Sequence, residues 1–303
     1  MSRVLVIDDD RLQYRIVQEH FKNFKAAAYE LEWSATYEDG LAKLLAGTYA
    51  VCLLDYRLGD KDGLQLLREA SEAGCRTPIV FLTAESSGTV DIQAMEAGAL
   101  DYLVKGEITP GSLERSLRYA RKLGDTLEAL RRLATRDELT GLLNRREYDR
   151  ILAEEEERAR RFGHSLSLVV LDLDLFKSIN DVRGHAAGDA VLREVAGRLA
   201  GTVRTVDRAA RIGGEEFALI LVQTGRDAAL EVARRAIRAV SASPIAVGAG
   251  DSLPVTASAG VAEFPSGASN GAGLFAAADR ALYAAKAAGR NRVVASWEGP
   301  PGS

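Results

Sequence analysis

Two cysteines in 303 residues are too few for a disulfide framework. Cys52 lies in an apolar run and Cys75 beside a turn, with neither metal-ligand nor redox spacing. That pattern suits a reducing compartment. No apolar run is long enough to span a bilayer, and the chain passes from Met1-Ser-Arg3 straight into strand-like residues with no signal region. The expectation is a cytoplasmic protein with no membrane partner. No basic cluster offsets a net charge of −4, so the electrostatic footprint of a nucleic-acid-binding surface is missing, and nucleic acid is not expected as a partner. What is present is ordinary: 47% hydrophobic and 27% charged residues, in a chain long for one core and comfortable for two.

Residues 1–120 alternate short apolar runs, at 4–7, 31–33, 51–54, 79–82 and 100–104, with stretches of helical period. The alternation predicts an α/β domain built on a doubly wound parallel five-stranded sheet, with its site outside the carboxyl ends of the strands. Those ends carry Asp8, Asp9 and Asp10 after the first strand, Asp55 after the third, Thr83 after the fourth and Lys105 after the fifth. Carboxylates gathered there repel each other without a cation, and a lysine with a hydroxyl facing them suits a transferred phosphoryl group. These residues resemble the receiver domain of two-component response regulators. The resemblance implies magnesium held by Asp8, Asp9, Asp55 and the carbonyl of Arg57, and phosphorylation of Asp55 by a histidine kinase. It further implies that Thr83 and Lys105 contact the phosphoryl oxygens and that Tyr102 swings inward on activation. Asp62-Gly63 falls where receivers have it. Gly106 stands where receivers have proline after the lysine, a departure that bears on their cis peptide and leaves the chemistry intact.

Residues 112–136 space Leu113, Leu117, Ala120, Leu123, Leu127, Leu130 and Ala134 three or four apart, one apolar stripe on a helix. Leu113 and Leu117 are expected to pack on the receiver sheet. Leu127 to Ala134 have no sheet beneath them and suit a seam with a second chain. Gly124 followed by Asp125-x-x-Glu128 predicts the end of one helix, the cap of the next and a hinge between them. The helical linker is accordingly set at 121–136.

The second half turns on Arg211-Ile-Gly-Gly-Glu-Glu-Phe217, two glycines between apolar runs that predict a tight hairpin. Glycine admits a nucleotide close to the backbone, with Glu215 and Glu216 beside it, but the same residues equally suit an exposed acidic hairpin. A second stretch decides between them. An apolar strand ends in Asp172 and Asp174, which a period of two sets on one face, where they repel each other unless a hard divalent ion sits between them. Helices alternating with strands and the hairpin predict an α+β sheet with helices packed on it.

At this point residues 137–294 resemble the GGDEF family of diguanylate cyclases. The resemblance rests on Asp137-x-Leu-Thr-Gly-Leu-x-Asn-Arg-Arg146, Asp172-x-Asp-x-Phe-Lys177, Asn180, Gly184-His185, Asp189, Gly213-Gly-Glu-Glu-Phe217, Ala278-Asp-x-Ala-x-Tyr-x-Ala-Lys286 and Arg290. It implies a palm-like domain at 137–298 that joins two GTP into cyclic di-GMP and releases two pyrophosphates. Each domain supplies one GTP, so a homodimer is implied. Magnesium or manganese would be held by Asp172, the Leu173 carbonyl and Glu215, with Glu215 activating the 3′-hydroxyl and Glu216 helping. Asn180 and Asp189 match the guanine readers, and Asp189 argues for GTP over ATP. Phe176, Lys177, Lys286 and Arg290 match the phosphate-facing set around Gly213 and Gly214. His185 matches a ribose-side position and also suits a structural histidine. Arg204-Thr-Val-Asp207 matches the family's RxxD inhibitory site, where an arginine grips the product cyclic di-GMP and the aspartate its base edge, with Arg235 in support. The alternative is a catalytically silent nucleotide receptor under receiver control, which the presence of Asp172, Gly213, Gly214 and Glu215 disfavours.

Overall fold

The computed structural model describes residues 2–25, 29–84, 88–248, 250–266 and 270–298. The chain divides between Arg131 and Arg132 into two compact units.

The first unit runs β1 (Ser2–Ile7), α1 (Arg11–Lys22), β2 (Tyr29–Ser34), α2 (Tyr37–Leu45), β3 (Val51–Asp55), the two-residue strands β4 (Arg57–Leu58) and β5 (Lys61–Asp62), α3 (Gly63–Glu72), β6 (Ile79–Thr83), α4 (Gly88–Glu96), β7 (Asp101–Val104) and α5 (Pro110–Thr135). Its sheet has the order β2-β1-β3-β6-β7 with every pairing parallel. Alternate residues supply two cores. Leu5, Ile7, Cys52, Leu54 and Phe81 pack with Tyr37 and Leu44 of α2 and Leu66 and Leu67 of α3, while Val4, Val6, Val51, Leu53 and Leu82 pack with Val17 of α1 and Leu113 and Leu117 of α5. Strands covered on both faces have no polar side, which is why they stand out as unbroken apolar runs.

The hinge expected at Gly124 is not there. Helix α5 is continuous from Pro110 to Thr135, and a Cβ at Gly124 would meet Pro78 Cγ at 2.3 Å. Glycine is needed for that close approach and does not end the helix. Glu128, expected to cap a new helix, instead binds Arg76 at 3.0 Å. Along α5, Leu113, Leu117 and Ala120 are buried, whereas Leu123, Leu127 and Leu130 are 44%, 38% and 57% exposed, so the stripe outruns its sheet as expected.

The second unit runs α6 (Arg145–Phe162), β8 (Leu166–Leu173), α7 (Phe176–Arg183), α8 (His185–Ala200), β9 (Arg208–Arg211), β10 (Glu216–Val222), α9 (Arg226–Ser241), β11 (Ile245–Gly248), β12 (Asp251–Leu253), β13 (Ala257–Phe264), α10 (Gly271–Ala287) and β14 (Val293–Ala295). Five strands form a sheet in the order β14-β13-β8-β10-β9, and central β8 is antiparallel to both neighbours. Val169, Leu171 and Leu173 face α8 and α9. Leu166, Leu168 and Val170 face α6 and α10. Helix α10 lies directly on β13, where a Cβ at Gly260 would meet the Ala278 carbonyl oxygen at 2.0 Å and the Leu282 nitrogen at 2.3 Å.

Some local expectations change. The β9–β10 connection is a four-residue loop, 212–215, and neither Gly213 nor Gly214 has a positive φ. The Ile212 and Gly213 amides both donate to the Glu216 carbonyl, at 2.9 and 3.3 Å. Helix α7, the β11–β12 hairpin and β14 were not anticipated from the sequence pattern. No helix among the described residues is long and apolar enough to cross a membrane.

Candidate functional sites

Parallel pairing brings the ends of β1 and β3 side by side. Oxygens of Asp8, Asp9 and Asp55 there lie within 4.8 Å of one another, the one such acidic group among the described residues. Lys105, just past β7, places Nζ 2.8 Å from Asp8 and 2.9 Å from Asp55. Burial pushes the Asp55 carboxyl up to about 6, with Lys105 pulling it back and the Asp8 charge adding to the rise. Asp8 is raised for the same first reason. Such a donor set, all carboxylate oxygen, suits a hard divalent cation. Thr83 is buried at the end of β6, Tyr102 on β7 is exposed, and Arg57 opens β4 beside Asp55. Lys105 begins a 3-10 turn, and the peptide after it is trans, the cis peptide among the described residues being Phe264–Pro265. Trp33, unmarked by any sequence signal, stacks on Tyr14 and donates its indole N–H to the Asp8 carbonyl at 2.8 Å.

The second site is assembled by antiparallel register. Asp172 lies opposite Glu216 on β10 and Ser258 on β13, and cross-strand partners share a face. That face is covered by α10, whose Lys286 reaches Asp172 at 2.8 Å. Burial raises the Asp172 carboxyl, with Lys286 opposing. Glu215, half-buried in the glycine loop, is raised by burial and then by the Asp172 charge. The Leu173 amide donates to the Glu215 carbonyl at 3.2 Å, which fastens that loop to the end of β8. Gly213 packs against Glu216, whose Oε2 would lie 2.2 Å from a Cβ there.

Asp174 does something other than share a cation with Asp172. Its Oδ1 accepts from Ser258 Oγ at 2.7 Å, and its Oδ2 accepts from Thr256 Oγ1 at 2.7 Å and the Asn291 amide at 3.1 Å. Both oxygens are engaged, so the strand-end pair is not a shared ligand set, although the two residues do lie on one face as the period of two predicts. Arg290 and Asn291 have φ of 64° and 47°, a conformation that costs a non-glycine residue roughly 1–3 kcal/mol.

Asn180 on α7 and Asp189 on α8 flank the corner at Gly184, which has φ 80°. The Asn180 amide oxygen fills the space that a side chain at Gly188 would need. Asp189 is half-exposed and 3.9 Å from Arg193. His185 and Lys177 are exposed. Phe176, expected to face phosphate, is 5% exposed and belongs to the core. Its ring cannot reach a ligand, but it opens α7, whose first turn no side chain caps. Arg290 is exposed beyond α10.

Arg204 and Asp207 bind each other. Arg204 Nε is 3.1 Å from Asp207 Oδ2, and its Nη2 donates to the Val222 carbonyl and to Thr224 Oγ1. The Asp207 carboxylate is 1% exposed and also accepts from the Val222 amide. The expectation that Asp207 meets a base edge is therefore not met here, because its oxygens are buried and taken. Arg204 itself is 59% exposed. Arg235 donates twice to the Thr202 carbonyl, at 2.7 and 3.2 Å.

Sequence reasoning assigned nothing to Arg211, yet it joins two motifs. It holds both oxygens of Asp137 at 3.1 and 3.2 Å and donates to the Gly214 carbonyl at 2.8 Å. Burial would raise Asp137, but Thr140 and Arg211 outweigh it and hold that carboxyl low.

The family model described as diguanylate cyclase, GGDEF domain, matches residues 134–292, and that of the response regulator receiver domain matches residues 4–118. The chain belongs to the GGDEF diguanylate cyclase family. Its receiver precedes the GGDEF domain in the same chain, as the two matched ranges require. Response regulator PleD of Caulobacter vibrioides is 34% identical over 97% of this chain and 65% of its own length. Diguanylate cyclase DgcP of Pseudomonas aeruginosa is 44% identical over 55% of this chain and 25% of its own. The chain thus spans less than two thirds of these curated relatives. Among solved structures, the GGDEF domain of DgcB from Caulobacter crescentus, in complex with c-di-GMP, covers 55% of this chain and 97% of its own at 37% identity and a TM-score of 0.53. A longer form with its coiled coil covers 61% and 97% at 35% identity and a TM-score of 0.55.

Proposed function

We propose that this GGDEF protein joins two GTP into cyclic di-GMP under control of phosphorylation at Asp55. The observation that carries the proposal is the meeting of Asp172, Glu215 and Lys286 beside a glycine loop at one strand end. Each 3′-hydroxyl attacks the α-phosphorus of the other nucleotide and gives its proton to Glu215, whose raised carboxyl is suited to accept it. Pyrophosphate leaves toward Lys286 and Arg290, with Lys177 and the uncapped first turn of α7, opened by Phe176, completing the triphosphate cradle. Asn180 and Asp189 read guanine, the carboxylate accepting from N1 and N2 hydrogens that adenine lacks. His185 stands on the ribose side of the same corner. Asp172, the Leu173 carbonyl and Glu215 form an oxygen set that fits magnesium or manganese, which when bound neutralises charge on the phosphates; Glu216, opposite Asp172, supports that set. One domain offers one GTP, so the product requires a homodimer, for which the uncovered Leu123, Leu127 and Leu130 of α5 provide apolar surface.

In the receiver, Asp8, Asp9, Asp55 and the Arg57 carbonyl fit the same class of ion. A histidine kinase supplies the phosphoryl group to Asp55, Thr83 and Lys105 contact its oxygens, and Tyr102 turns inward. At the inhibitory site the exposed Arg204 grips the product, Asp207 and Arg235 holding the turn around it. The related DgcB GGDEF domain, solved in complex with c-di-GMP, supports product binding by a domain of this kind.

The test is to incubate the protein with GTP and magnesium, with and without beryllium fluoride, and to quantify product chromatographically. Cyclic di-GMP that rises with the mimic, and no longer responds in Asp55→Asn, is the expected result. Nucleotide binding without product in either condition would replace the enzyme by the silent receptor.

A further inference from the structure

The geometry points to Asp174 as a positioning residue for the triphosphate end of the cyclase site, acting through the Arg290–Asn291 turn; this rests on the function proposed above. Two aspartates two residues apart do separate work. Asp172 faces Lys286, whereas Asp174 ties three segments distant in sequence, accepting from Thr256 and Ser258 at the start of β13 and from the Asn291 amide beyond α10. The Asp174 amide adds a fourth tie by donating to the Thr256 carbonyl at 2.9 Å.

The segment held at Asn291 is the one that needs holding. After α10 the chain passes through Gly289, Arg290 and Asn291 at φ of 110°, 64° and 47°, of which glycine is at ease with positive φ and asparagine tolerates it. Left alone, Arg290 favours other conformations. Four bonds pin them: the Arg290 amide to the Ala285 carbonyl at 3.1 Å, the Asn291 amide to Asp174, the Arg292 Nε to the Arg290 carbonyl at 3.0 Å, and the Ala259 amide to the Arg292 carbonyl at 2.9 Å. The Asp174 bond is the one of these four made by a side chain from outside the turn. Meanwhile the exposed Arg290 guanidinium has no hydrogen bond or ion pair among the described residues, so the turn's backbone alone fixes the point from which it reaches out. Holding the αL turn therefore keeps an uncommitted cation within reach of the site, which saves part of the ordering entropy when an anion binds.

The mechanism is independent of charge, which separates it from a role in holding metal. Asparagine at position 174 retains an oxygen to accept from Asn291 and Thr256, and its NH2 can donate to the Ser258 hydroxyl. Alanine retains neither. Binding of a non-reacting GTP analogue with magnesium, and of GMP, would be measured on the full chain for the parent, Asp174→Ala, Asp174→Asn, Arg290→Ala and the double variant Asp174→Ala/Arg290→Ala. The expected results are a loss of about tenfold in triphosphate affinity for Asp174→Ala with GMP affinity kept, and near-parental binding for Asp174→Asn. The double variant should be no weaker than Arg290→Ala, since residues acting through one another are not additive. Additive losses, equal losses for GMP, or an Asp174→Asn as weak as Asp174→Ala would each overturn the assignment. If Asp174→Ala does not fold, Asp174→Asn still decides, as does amide exchange at Asn291 in the parent, which should be slowed at least about tenfold against an open-chain amide; rapid exchange there would also overturn it. If the parent binds no GTP analogue, the proposed function fails, while slow exchange at Asn291 would leave the clamp itself standing.

Discussion

The two five-stranded sheets gather carboxylates in opposite ways. In the parallel sheet, Asp8 and Asp55 leave the same edge because every strand runs the same way, so each arrives independently and one lysine gathers them. In the antiparallel sheet, Asp172 meets Glu216 and Ser258 because they are register partners on strands running in opposite directions. A residue lost from the first site leaves the others in place. In the second, each side chain is positioned by its neighbours' backbone, and the chemistry depends on the alignment of three strands. Topology alone reveals the first kind of site, whereas the second needs the register.

The sharpest way to break this comparison is to remove chemistry from the register-built site while leaving its alignment. Glu215→Gln keeps the loop bond from the Leu173 amide to the residue 215 carbonyl but removes the carboxylate proposed as the base, and cyclic di-GMP formation should fall by about a thousandfold or more, measured as initial rate at saturating GTP. Phosphoryl transfer to Asp55 should be unaffected.

The converse experiment acts on the edge-built site, where burial works against the charges. Asp55 sits at about 6 against 3.8 in the open chain, so ionised Asp55 destabilises the folded receiver fully above about pH 6, and that penalty disappears below about pH 4. Asp55→Asn should therefore stabilise the metal-free chain by about 2–3 kcal/mol at pH 8 and by almost nothing at pH 4. Urea unfolding in a chelator, with Trp297→Phe so that Trp33 alone reports, checks the sign. A gain that grows as pH falls would show that Lys105 outweighs burial.

The smallest effect belongs to a pair drawn from a single turn, Arg204 and Asp207, which is fastened to the end of β10 through Val222. Arg204→Ala should keep about tenfold more activity than the parent at saturating cyclic di-GMP, since one charge-assisted grip accounts for about 1.4 kcal/mol.

Most of the fold was legible because both sheets are covered on two faces, which makes strands such as residues 51–54 and 168–171 continuous apolar runs. The α7 helix, the β11–β12 hairpin and β14 escaped because each is short and carries few buried residues. Gly124 misled because a glycine before Asp-x-x-Glu looks the same whether it ends a helix or admits Pro78. At the site, Asp172, Glu215 and Lys286 were legible through motif spacing. What holds Asp174 was not, since Thr256, Ser258 and Asn291 come together only in three dimensions. The part Phe176 plays was only half legible, because sequence spacing does not separate a ring in the core from its own amide at a helix start.

The contact of Gly260 with the backbone of α10 has a consequence for how such chains diverge. Because the spacing between helix and sheet there is fixed by a missing side chain, drift at position 260 is closed off even to alanine, although the residue touches neither Lys286 nor nucleotide. A survey of tolerated substitutions would rank it with the acidic residues and invite a catalytic label. Its intolerance would instead record the distance at which α10 must ride for its lysine to meet Asp172.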